Sequence, residues 1–187
     1  MLSLNFSPFP VLNSERLILR QLEPGDTPEI FILRSDEGVN EFIDRPRASS
    51  PEDALKFITK INTGILANES IFWAITLKTD PRLSGTVCLW NISRENHRAE
   101  IGYELLPRFQ RQGIMHEAIP VVIEFGFEQM KLHCIEAVLH ADNYRSARVL
   151  EKNNFKRDLL IEKNIDKELH DKNMVVYTLT SSLRPVE

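Results

Sequence analysis

At 187 residues the chain can bury one sizeable core but not several, and 42% hydrophobic with 27% charged residues is a globular balance that argues against a disordered or membrane-embedded chain. A net charge of −4 speaks against a general nucleic-acid binder and fits a basic partner, such as an amine or a basic polypeptide tail. Apolar runs are too short for a membrane span, residues 1–12 lack a basic leader pattern, and Cys88 and Cys134 sit in apolar surroundings as reduced thiols, so a cytoplasmic protein is expected.

Residues 1–13 read as an irregular or loosely docked lead-in to one domain over 14–182. Arg16-Leu17-Ile18-Leu19-Arg20 alternates polar and apolar residues and predicts a strand. Pro24-Gly25-Asp26 predicts a turn opening a short helix with Ile30, Phe31 and Leu33 on its apolar side, and another short helical piece fits Val39 to Ile43. Ser50-Pro51-Glu52-Asp53 combines an N-cap serine, a proline at the first helical position and two acids for the dipole; Leu55, Ile58, Ile61 and Ile65 follow at helical spacing. Ile71 to Lys78 and Leu83 to Ile92 predict an antiparallel hairpin about the turn Thr79 to Arg82.

Ala99 to Leu106 predicts the next strand, ended by Pro107. Gly113 then turns the chain into a helix that is apolar around more than half its circumference, through Ile119, Val122, Ile123, Phe125, Phe127 and Met130, with Pro120 in its first two turns. Cys134 to His140 predicts a strand, and Asp142-Asn143 opens a helix through Lys152. Asn153-Asn154 suits the left-handed residue that ends such a helix. Lys156 to Lys163 and Met174 to Thr180 predict the last strands, around a polar turn at Asn164 to Asn173. The order of elements makes the fold α/β (α+β) with a mixed sheet.

The stretch Ala99 to Ala118 carries the chemistry. A strand feeding a glycine-containing turn and a helix N-terminus leaves several N–H groups without intrahelical partners, and the helix dipole favours negative charge there. Within the strand, Glu100 and Glu104 alternate onto one face and offer carboxylates for proton transfer. The five histidines, His97, His116, His133, His140 and His170, show no ligand spacing, so no metal is expected.

Gln110-Arg111-Gln112-Gly113-Ile114-Met115 resembles motif A of the GNAT superfamily of acyl-CoA N-acyltransferases, Gln/Arg-x-x-Gly-x-Gly/Ala, with Met115 at the second small position. Ser14-Glu15-Arg16-Leu17-Ile18-Leu19-Arg20, Ala99 to Tyr103, Asn143-Tyr144-Arg145-Ser146 and Glu151-Lys152-Asn153-Asn154-Phe155 also resemble, in order, the branch containing the Rim-type ribosomal-protein N-terminal acetyltransferases. Asn154 stands where that branch has glycine.

The resemblance implies a GNAT fold, a mixed, mostly antiparallel sheet of about seven strands flanked by helices. It implies acetyl-CoA as co-substrate, its pyrophosphate on the N–H groups of Arg111, Gln112, Gly113, Ile114, Met115 and His116, and its pantetheine beside Leu105 and Asn143. Asn143 also reads as a plain N-cap. By the same resemblance Glu100 is the base and Ser146 the group facing the leaving sulfur. As a structural carboxylate, Glu100 would instead pair with Arg16, Arg20 or Arg98, and Ser146 could simply satisfy orphan N–H groups. The tyrosine that many members place on this helix is replaced by Leu150, with Tyr103 and Tyr144 as spare hydroxyls. The implied acceptor is a primary amine, foremost a protein N-terminal α-amine. The alternatives are a polyamine, an amino acid or an antibiotic amine, or an acyl-CoA sensor without turnover. No nucleic acid or membrane is expected as partner, and either a monomer or a homodimer is compatible.

Overall fold

The computed structural model describes residues 2–162 and 173–181. Its strands are β1 Leu12–Asn13, β2 Leu17–Arg20, β3 Ile71–Leu77, β4 Asp80–Ser93, β5 Arg98–Leu105, β6 Cys134–His140, β7 Lys156–Arg157 and β8 Met174–Thr180. The helices are α1 Thr27–Ser35, α2 Pro51–Leu66, α3 Ile114–Glu124, α4 Tyr144–Lys152 and α5 Leu159–Glu162. Among the described residues the strands form one sheet of eight in the order β1-β2-β3-β4-β5-β6-β8-β7, one more than expected because Leu12–Asn13 pairs with Ile18 and Leu19. All neighbours are antiparallel except β5 and β6, which α3 connects as a parallel crossover.

Side-chain alternation assigns the two faces of the sheet. Phe72 packs edge-on against Phe57 of α2, while its neighbour Trp73 packs against Phe125 beyond α3, so α2 and α3 cover opposite faces. Following the register across the sheet, Phe72, Cys88 and Gly102 share the α2 face, and Trp73, Val87 and Tyr103 share the α3 face. Both cysteines are buried, and they are not joined in a disulfide. The lead-in is irregular over 2–11 but not loosely docked. Phe6 enters the core, its N–H donates to Asn68, and the Pro10 carbonyl accepts from the Trp73 indole at 2.8 Å.

Three local expectations need correcting. The piece at Val39 to Ile43 is a series of turns, because side chains take over the backbone partners a helix would use. Asp36 accepts from the Val39 N–H, and buried Asn40 donates to the carbonyls of Leu33 and Asp36. The strand expected from Lys156 to Lys163 stops at Arg157, since the Asp158 carboxylate accepts from the N–H groups of Leu160 and Ile161 and starts α5. Lys163, His170 and, apart from Asn173, the polar turn at 164–173 lie outside the described residues. The helix after Gly113 continues beyond α3 as a π-helical turn at Phe125–Gln129, which periodicity alone did not indicate.

Candidate active site

The site begins where β5 and β6 part. Their parallel register holds only at Arg98 with Cys134, Ala99 with Ile135 and Glu100 with Glu136. Beyond Glu100, β5 runs on to Leu105 with β4 on one side and, among the described residues, no strand on the other. The Leu106 N–H donates to Ser84 of the β4 side, so by alternation Tyr103 and Leu105 direct their N–H and C=O groups into the opening. An extended ligand can pair there as an added strand. Leu105 is half-buried, and its carbonyl accepts one long bond, 3.3 Å, from the Gln110 side chain.

The turn at the end of β5 has the geometry of an anion site. Arg111 and Gly113 both take left-handed φ values, 62° and 76°, and Gly113 is the N-cap of α3. That double reversal leaves the N–H groups of Arg111, Gln112, Gly113, Ile114, Met115 and His116 donating to no acceptor among the described residues. Together with the dipole of α3 they suit a phosphate group. The Met115 side chain is buried away from the turn, so only its N–H faces outward. At the end of β6, Asn143 caps α4 by accepting from the Ser146 N–H at 3.1 Å, and its amide donors remain for a ligand. Residue 154, at φ 65°, is the left-handed asparagine beyond α4.

Alternation places the two proposed proton-handling groups on opposite faces. Ser146, on α4, has its hydroxyl 2.7 Å from the Tyr103 hydroxyl, and the Ser146 carbonyl, 3.2 Å from the same phenol, is a second acceptor within reach of its one proton. Burial pushes the Tyr103 phenol above its ordinary value, opposed by the Ser146 bond, so the phenol stays protonated. Tyr144 is two-thirds exposed and makes no such contact, so the spare hydroxyl that reaches the site is that of Tyr103, while Leu150 is fully buried core.

Glu100, Glu104 and Glu136 share the α1–α2 face. Arg98 pairs with Glu136 at 2.6 Å, and Arg45 with Glu104 at 2.7 Å. Arg16 and Arg20 are engaged elsewhere, by Glu117 and Asp26. None of the three arginines expected as structural partners is paired with Glu100. Burial pushes its carboxyl up to about 7, the charge of Glu136 adds to this, and a hydrogen bond from the Asn91 side chain opposes it. A carboxyl so placed exchanges its proton near neutrality.

The segment between α1 and α2 spans this opening. Arg45 ties it to Glu104 of β5 and to Asn40, and Phe42 stacks on His140 of β6 with ring centroids 5.4 Å apart. Sequence reasoning missed Arg45 and Glu136 and considered Arg98 only as a partner of Glu100; nothing in local spacing announces partners 59 or 38 residues away. Among the described residues no three His, Cys, Asp or Glu side chains cluster as a metal site, and no helix is long and apolar enough to cross a membrane.

Comparison with known proteins accords with this geometry. The family described as the acetyltransferase (GNAT) domain matches residues 16–156. The chain belongs to the GNAT acetyltransferase family. It is 33% identical over 150 residues to YoaA of Bacillus subtilis, an uncharacterized N-acetyltransferase, covering 80% of this chain and 85% of that one. It is 32% identical over 153 residues to YdaF of the same organism, named for ribosomal N-acetylation, covering 76% and 79%. The fold of RimL, a ribosomal L7/L12 α-N-protein acetyltransferase solved with coenzyme A, superposes with a TM-score of 0.79 at 19% identity, covering 94% of this chain and 100% of that one. This GNAT chain is thus an N-acetyltransferase, and its Rim-like resemblance stands.

Proposed function

We propose that this N-acetyltransferase moves an acetyl group from acetyl-CoA to the α-amine of a protein N-terminus, by direct transfer across the β5–β6 opening. The observation that supports this best is the contrast at that opening: N–H donors and a hydroxyl on one side, one carboxylate without a cation on the other. The N–H groups of 111–116 would hold the pyrophosphate, and the β5 edge near Leu105 with Asn143 would hold the pantetheine. When bound, acetyl-CoA supplies the thioester carbon and the leaving sulfur.

An ammonium acceptor gives up two protons on its way to an amide. Glu100 takes the proton that frees the nitrogen lone pair, directly or through water, and Ser146 donates a hydrogen bond towards the departing sulfur. The sulfur leaves as a thiol, which balances one proton, and the other passes through Glu100 to solvent. The likeness to YdaF, named for ribosomal N-acetylation, supports a protein N-terminus as acceptor. Cytoplasmic location follows from the same reading.

The deciding experiment measures thiol release from acetyl-CoA against a panel of N-terminal peptides, polyamines, amino acids and antibiotic amines. Peptides with a free α-amine should be turned over, and the same peptides blocked at the N-terminus should not. Preferred use of a polyamine or antibiotic amine would overturn the acceptor assignment. Thermal stabilisation by acetyl-CoA without thiol release from any amine would point to a sensor.

A further inference from the structure

One motif singled out in the sequence has no part in the site described so far. Ser14-Glu15-Arg16 lies about 100 residues before the phosphate turn, yet three hydrogen bonds carry it there. The Ser14 hydroxyl and the Arg16 N–H both donate to Glu117 Oε1 at 2.6 Å, and Arg16 Nε donates to Glu117 Oε2 at 2.6 Å. Ser14 is itself held by the Leu17 N–H at 3.1 Å, which fixes its oxygen at the mouth of β2. The other end of the same guanidinium reaches the turn, with Arg16 Nη1 and Nη2 donating to the Gln112 carbonyl at 3.3 and 3.4 Å.

These contacts answer two electrostatic problems of a phosphate turn. Glu117 stands in the first turn of α3, where an uncompensated carboxylate would repel the anion that the free N–H groups attract. Three donors, one of them the Arg16 guanidinium, occupy and neutralise it. The Gln112 carbonyl is the second problem, because its oxygen shares a planar trans peptide with the Gly113 N–H. Oxygen and N–H point in opposite directions in such a unit. Drawing the Gln112 oxygen towards Arg16 therefore turns the Gly113 N–H the other way, to the side where a phosphate can receive it.

Resting on the reading of this turn as the cofactor site, we infer that Ser14, Arg16 and Glu117 form a brace from β2 that presets the turn for phosphate. Arg16 is thereby a positioning residue for the cofactor and not for the amine. It serves through its fork: one nitrogen on Glu117 and two on a carbonyl, a division that a lysine ammonium cannot reproduce. The guanidinium is half exposed, so replacing it leaves the core intact.

The test compares two donors, acetyl-CoA and acetyl-pantetheine, which lacks the pyrophosphate, with one peptide acceptor. In Arg16→Gln the KM for acetyl-CoA should rise about tenfold with kcat within about twofold, because the lost contact orients a ground-state ligand. The kcat/KM for acetyl-pantetheine should stay at the wild-type value, and Arg16→Lys should not restore acetyl-CoA affinity. Equal loss with both donors would mean a loosened fold and overturn the brace, as would an unchanged KM for acetyl-CoA. Calorimetric binding of coenzyme A separates this from the transferase reading. Weaker binding in Arg16→Gln, with no turnover by the wild type, would sustain the brace and remove the transferase assignment for these substrates.

Discussion

The two faces of the β5–β6 opening are built from different materials. The face carrying the turn 110–113, Asn143 and Ser146 consists mainly of backbone N–H groups at two helix starts, held by local geometry. The other face consists of carboxylates whose charge depends on distant residues. Glu104 is neutralised by Arg45, Glu136 by Arg98, and Glu100 by neither. The three lie on one face, and burial pushes the carboxyl of Glu100, the one left without a cation, up to about 7. Its distinction comes first from burial at its own position, with no arginine paired there to oppose it.

The largest predicted effect tests that distinction directly. Glu100→Gln should lower kcat/KM about 100-fold near pH 8, where a lost general base costs most. Wild-type activity should climb as pH rises through about 7 and then level, and the variant should lose that limb. Stability should move the opposite way. A carboxyl whose folded pKa lies above its ordinary 4.5 favours the folded state less as pH rises from 4.5 to about 7. The variant should therefore melt above wild type near pH 8, with the difference closing near about pH 4. A lower melting temperature near pH 8 would return Glu100 to a structural role.

Glu104 supplies the contrast. Its side chain is only 9% exposed, and Arg45→Ala would strand its charge beside β5. The expected loss is about 2 kcal/mol of stability by chemical denaturation, with a raised KM for the amine as the α1–α2 segment detaches. Glu104→Gln should cost less, because Arg45, at 19% exposure, can turn towards water. Adding it to Arg45→Ala should restore part of the loss, and strict additivity of the two would sink the ion-pair account.

The same contrast explains how much could be read from the chain. Gly113, Asn143, Ser50-Pro51 and Asn154 act within a few residues of themselves, so spacing is enough to locate the turn into α3, the N-caps of α2 and α4 and most strands. Asn40, Asp158 and Arg45 act by capturing backbone or charge partners that periodicity does not encode. Periodicity accordingly predicts a helix around Asn40 and a longer strand through Asp158, and it gives Arg45 no partner. Glu100 and Glu104 fell on the expected common face, yet their different fates could only emerge once the distant arginines were placed. Ser14 and Arg16 are legible as part of a motif, but their partner Glu117 lies about 100 residues further along the chain.

The smaller effects lie on the donor face. Ser146→Ala should lower kcat about tenfold while coenzyme A affinity holds, since the cap uses the Ser146 N–H and not its hydroxyl. Tyr103→Phe is the sharper probe. At 2.7 Å either hydroxyl can donate to the other, and the two arrangements predict opposite signs. If Tyr103 donates to Ser146 Oγ, the serine proton is free to face the sulfur, and removing the phenol oxygen should lower kcat about threefold. If Ser146 donates to Tyr103, removal frees the serine proton and kcat should rise. The function proposed for Ser146 requires the first arrangement. Tyr103→Phe added to Ser146→Ala should then cost nothing further, because a tyrosine that works only through the serine has nothing left to orient.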